Sequence, residues 1–142
     1  MLCERVTTHF KAMSLKHIVT KNAPGAPIPG LFSQGVRAGP FLWTQGTPGA
    51  LPDGTMVQGT IQDRTRQVIK NLEAVLAAEE MTLRDVVKAT IYIKNFDENF
   101  PLVNQIWEEM MPEPRPTRTS LGVAQLPAGG TDVEIDFVAY KA

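Results

Sequence analysis

The apolar period changes in the middle of this chain, and that change limits the fold more than any other feature. From Thr60 to Glu80, Ile61, Val68, Ile69, Leu72, Val75 and Leu76 recur at helical spacing, while Asp63, Arg64, Arg66, Lys70 and Glu73 fall largely on the other side. This predicts an amphipathic helix of roughly five or six turns. Thr60 with Asp63 forms an N-capping pattern, and Thr82 caps a brief turn through Asp85. From Val86 to Lys94 the chain alternates and is β-branched, so it reads as a strand. Val87, Ala89, Ile91 and Ile93 fall on one face of it, and Lys88, Thr90, Tyr92 and Lys94 on the other.

A second helix is expected from about Asp97, with Phe100, Val103, Trp107, Met110 and Met111 as its apolar stripe and Pro101 in its first turn. Pro112, Pro114 and Pro116 end it and impose extended backbone. Thr117–Ala124 and Asp132–Tyr140 read as strands around a PAGGT turn. The last strand puts Val133, Ile135, Phe137 and Ala139 on one face, and Glu134 and Asp136 on the other. Towards the N-terminus, Lys16–Thr20 is a short strand, followed by a Pro/Gly loop. Leu31–Ala38 and Phe41–Gln45 form a hairpin across Gly39-Pro40. The order β-β-β-α-β-α-β-β defines an α/β (α+β) domain. Two helices cover one sheet face, so the other needs a partner, which points to self-association.

At 142 residues the chain fits one domain. Residues 16–142 are expected to form it, and residues 1–15 a flexible N-terminal extension. Its 14 basic and 15 acidic residues leave a net charge of −1. Nucleic-acid binding therefore gains nothing from a basic field. The single cysteine, Cys3, has no intrachain partner, which suits a reducing compartment. No apolar run approaches the roughly 18 residues that span a bilayer. The first twelve residues lack a secretory apolar core, so the cytoplasm is the expected compartment, with a mitochondrial presequence as the alternative. His9 and His17 have no Cys, Asp or Glu partner at metal-ligand spacing.

One constellation carries chemistry. Arg118 opens a strand after a proline-stiffened segment, where a guanidinium fork suits a carboxylate or phosphate. Antiparallel pairing of its strand with the last one would bring Glu134 close. A plain cross-strand salt bridge explains that pair equally. On the same footing, Phe32 and Trp43 read as core or interface aromatics, and Asn104 as a solvated helix residue.

Three segments add to this reading. TRQVIKNLEAVLAAEEMTLRDVVKATIYIKNFDENFPLVNQIWEEM, RPTRTSLGVAQLP and DVEIDFVAY resemble the helix–strand–helix unit, the arginine signature and the closing strand of the Rid/YjgF family, also called the L-PSP endoribonuclease family. The resemblance covers roughly residues 16–141. It implies a chorismate-mutase-like fold, a mixed, mostly antiparallel six-stranded sheet with two helices on one face, and a homotrimeric barrel with active sites between subunits. It implies hydrolysis of 2-imino and enamine acids to 2-oxo acids and ammonia, without a metal or organic cofactor. Arg118 would bind the substrate carboxylate and Glu134 would handle water and proton. Phe32, Ser33, Thr44, Gly46, Asn104 and Ser120 would contact substrate. The sequence departs from the family pattern where Phe32 replaces a common tyrosine, and where Thr44-Gln45-Gly46 stands for the usual S-G-Q. Those departures leave room for a dedicated pathway enzyme. An RNA-cleaving or translation-inhibiting protein, and a non-enzymatic small-molecule binder, are further alternatives. Partners are expected to be a small carboxylate and further copies of the chain, with no nucleic acid and no membrane.

Overall fold

Thr60 opens the long helix as its spacing predicts. Its hydroxyl accepts the Asp63 N–H, and the Asp63 carboxylate accepts the Thr60 N–H at 3.0 Å. This reciprocal box satisfies donors that a helix start otherwise leaves bare. In the computed structural model, which describes residues 14–142, α1 spans Ile61–Ala77 and α2 spans Phe96–Met110. The strands are β1 (Leu15–Ile18), β2 (Gly35–Ala38), β3 (Phe41–Thr44), β4 (Thr47–Pro48), β5 (Val86–Ile93), β6 (Thr117–Gly122) and β7 (Val133–Tyr140). They form one sheet in the order β1-β2-β3-β7-β5-β6, with the two-residue β4 set against β7. The six expected strands are thus present, and β4 is an addition. The expectations for Cys3, His9 and a presequence lie outside the described residues, and β1 begins within the segment expected as an extension.

Both helices pack on one sheet face. Leu42, Ala89, Ile91, Ile135 and Phe137 from the strands meet Val68, Ile69, Leu72, Val75 and Leu76 of α1 and Val103, Ile106 and Trp107 of α2 in one core. Each fully buried large apolar side chain contributes roughly 1.5–3 kcal/mol. Arg64 of α1 ties the sheet's far loop to this layer. Its Nε and Nη2 donate to the two carboxylate oxygens of Asp132 at 2.8 and 2.6 Å.

Three local readings change. Val87 does not face the core, because a bulge between Val86 and Lys88 turns it outward. The inward set of β5 is Val86, Ala89, Ile91 and Ile93. Pro101 lies inside α2, beyond its first turn. The helix starts earlier than expected because Asn95, in left-handed backbone, already accepts the Asn99 N–H, and the Asn99 amide seals the Lys94 carbonyl at 2.7 Å. The third change matters most for function. β6 pairs with β5 in parallel, β7 pairs with the other edge of β5, and β6 and β7 do not pair with each other.

The sheet face away from the helices is open. Phe41, Trp43 and Tyr140 cluster there, with ring centroids 5.7 and 5.2 Å apart, and all three are exposed.

Asn71 interrupts the apolar stripe of α1, yet it is fully buried. Its amide donates to the carbonyls of Pro48 and Ala50 at 3.2 and 2.7 Å and accepts from Gln67 at 2.9 Å. It therefore anchors β4 and the loop after it to the helix. Asn71→Leu keeps the branched outline of the side chain but strands those carbonyls. A loss of about 1–3 kcal/mol in urea unfolding is expected, and an unchanged midpoint would refute the anchoring role.

Candidate functional site

Arg118 stands on the edge strand β6, opposite Ala89 of β5, and so shares the helix-facing side. Its Nη2 donates to Asn104 Oδ1 at 2.8 Å. Its guanidinium carbon lies 5.6 Å from the Phe100 ring centre and 5.2 Å from that of Trp107. Phe100, Asn104 and Trp107 are spaced i, i+4, i+7, so one face of α2 presents all three. Trp107 is fixed in turn by an edge-on contact with Phe137, 6.4 Å between centres. Cation–π contact and one amide bond hold the fork flat while leaving most of its N–H donors uncommitted. Burial draws the guanidinium below its ordinary pKa, but an arginine stays cationic. Arg37, Arg64, Arg66 and Arg115 all pair with carboxylates, whereas Arg118 has no ion-pair partner among the described residues. Two residues on, the Ser120 hydroxyl is buried without a hydrogen-bond partner among the described residues.

Glu134 belongs to a different surface. It sits opposite Tyr92 on β5 and opposite Pro48 on β4, on the open sheet face. It lines a cleft of 820 Å³ together with Phe32, Ser33, Trp43, Thr44 and Gly46. Gly46 makes room for it: a Cβ there would come within 3.1 Å of Glu134 Oε2. Burial, then the nearby Asp136 carboxylate, raise the Glu134 pKa. Among the described residues no lysine, arginine or histidine lines the cleft to oppose that shift. Asp136 is likewise raised by burial, moderated by the Tyr92 hydroxyl and by Lys88.

The loop that carries Phe32 and Ser33 to this cleft is fastened by a residue outside its lining. Gln34 is buried. It accepts the Thr20 N–H at 2.7 Å and donates to the carbonyls of Thr20 and Ala23 at 3.0 and 2.9 Å. That stitches the Pro/Gly loop to the hairpin and leaves Phe32 half exposed beside the opening.

The residues singled out from sequence therefore form two groups. Arg118, Asn104 and Ser120 meet against α2. Phe32, Ser33, Thr44, Gly46 and Glu134 meet in the cleft. The expected approach of Arg118 to Glu134 does not occur within one chain, because β5 intervenes and the two side chains lie on opposite sheet faces. The plain salt bridge between them fails for the same reason. Asn104 is not merely solvated, since it holds Arg118. Trp43 is an exposed surface aromatic, so of the two readings the interface one is compatible with its position. Sequence reasoning placed Phe100 and Trp107 in the helix core and missed their contact with the guanidinium, which their spacing relative to Asn104 signals. Among the described residues no group of three or more His, Cys, Asp or Glu could hold a metal ion, and no helix is long and apolar enough to cross a membrane.

Comparison with known proteins locates this architecture. The family model described as Endoribonuclease L-PSP matches residues 20–141. A RutC family protein of Pyrococcus horikoshii is 40% identical over 125 residues, 87% of this chain and 96% of that one. The 2-iminobutanoate/2-iminopropanoate deaminase of Dermatophagoides farinae is 38% identical over 128 residues, 89% of this chain and 97% of that one. The crystal structure of RidA from an Antarctic Psychrobacter superposes with a TM-score of 0.82 at 30% identity, covering 89% of this chain and 99% of that one. With its two helices on one face of a mixed sheet and an L-PSP match over nearly its whole length, the chain belongs to the Rid/YjgF family.

Proposed function

We propose that this protein hydrolyses 2-imino acids and their enamine tautomers to 2-oxo acids and ammonia. The observation that carries this reading is the uncommitted Arg118 guanidinium. It is half-buried, held by Asn104 and two rings, and has no carboxylate of its own among the described residues. Such a fork suits a planar carboxylate bound bidentately. Two charge-assisted bonds there also orient the adjoining C=N carbon. Water adds to that carbon, its proton leaves, and the nitrogen departs as ammonia after gaining protons. Glu134 is suited to carry the proton, because burial raises its pKa toward the working range of a general acid–base. The deaminase name of the mite relative supports the same chemistry.

The reaction needs both groups at one substrate, and one chain keeps them apart. We therefore infer a homotrimer in which Arg118 of one copy faces the Glu134 cleft of its neighbour. The exposed Phe41, Trp43 and Tyr140 cluster supports this, since apolar rings on an open sheet are a surface for burial.

Arg118→Ala should lower deamination of an imino acid, generated in situ by an amino-acid oxidase, by at least about 100-fold, with the fold intact. Full activity would sink the assignment. Mixing Arg118→Ala with Glu134→Gln copies should restore part of the activity each lacks, because some sites then combine two intact halves. A mixture as inactive as its components would exclude the shared site. Glu134→Gln keeps the shape of the side chain but removes its proton-carrying group, so turnover should fall by about 100-fold or more.

A further inference from the structure

The polar groups of the Glu134 cleft differ in how far the fold already engages them. Thr44 gives its hydroxyl proton to the Gln45 carbonyl at 3.0 Å and accepts the Phe137 N–H at 2.9 Å. The Gln45 amide donates to the Pro24 carbonyl at 2.8 Å. Phe32 brings a ring without a hydroxyl. Ser33 is different: its Oγ has one partner, His17 Nδ1, at 2.8 Å. A hydroxyl carries one proton and two lone pairs, so this contact leaves Ser33 free to bind a molecule in the cleft it lines.

His17 stands on the edge strand β1, on the open face, opposite Val36 of β2. Arg37 is the charged residue of β2. It turns to the other face, where it meets Glu79 and the carbonyls of Gly39 and Lys141. Lys16 of β1 also reaches Glu79, at 2.7 Å. The segment from Leu31 to Gln34 carries no charge, and Lys21, exposed in the turn after β1, completes the charged groups of these segments. None of these charged side chains is bonded to the imidazole, so Ser33 is its hydrogen-bond partner among the described residues.

We propose that His17 is the positioning residue of the Ser33 hydroxyl in the cleft, setting whether that hydroxyl donates or accepts. With a proton on Nδ1, His17 donates to Ser33 Oγ. The Ser33 proton is then free for an acceptor, such as the amine nitrogen of the tetrahedral adduct. With Nδ1 bare, Ser33 gives its proton to His17 and can only accept, as from the N–H of an imine. This assignment rests on the deaminase reading and adds to it a hydroxyl with switchable polarity.

Steady-state deamination by Ser33→Ala, His17→Leu, the double variant and His17→Asn tests it, with Arg118→Ala run alongside. Ser33→Ala and His17→Leu should each lower kcat/KM by roughly 3- to 10-fold, and the double variant should fall no further than the worse single one. His17→Asn should restore activity near neutral pH, because an amide presents either polarity at the same place. Additive losses, or no recovery of activity in His17→Asn, would overturn the proposal. So would activity within about twofold of wild type in Ser33→Ala while Arg118→Ala is dead; that result leaves the deaminase reading standing. Full activity in Arg118→Ala would remove both.

Discussion

The parallel register that sets Arg118 beside Ala89 governs the chemistry of this chain. β5 lies between β6 and β7, and its side chains alternate between the sheet faces. Its helix-facing residue Ala89 fixes the side on which Arg118 stands. Its outward residue Tyr92 fixes the side on which Glu134 stands. A single interposed strand thus prevents the cation and the acid of one chain from neutralising each other. Both stay available for something outside the chain.

Much of this was legible in the sequence wherever the information is local. The stripe of α1 is buried as its spacing predicts, and its cap closes on Thr60 and Asp63. The alternation of β7 assigns Val133, Ile135, Phe137 and Ala139 to the core and Glu134 outward. What was not legible is which strands are neighbours. β6 and β7 follow one another along the chain, and antiparallel pairing of consecutive strands is a common arrangement, yet β5 separates them. Alternation is also blind to an inserted residue, so the bulge at Val87 went unseen. Buried polar residues were the other gap. Asn71 and Gln34 look like ordinary surface amides until the carbonyls they serve are known.

Stability and chemistry are divided between different parts of the molecule. The ion pairs that fasten the fold, Arg64 with Asp132 and Lys16 and Arg37 with Glu79, are complete in themselves. Arg118 and Glu134 are each partly removed from water without an opposite charge among the described residues, which disfavours both ionised forms. Functional sites commonly break local rules that the surrounding fold obeys. Here the violation is mirrored, a cation on one face and an acid on the other.

Gly46 shows how finely the acid side of this arrangement is exposed to inherited change. A methyl group there would meet the mobile end of Glu134 and no backbone atom. The chain would fold and accumulate normally while its carboxylate moved by a few tenths of an ångström. An allele carrying such a change would leave protein abundance untouched and would show itself only in what the cleft can hold.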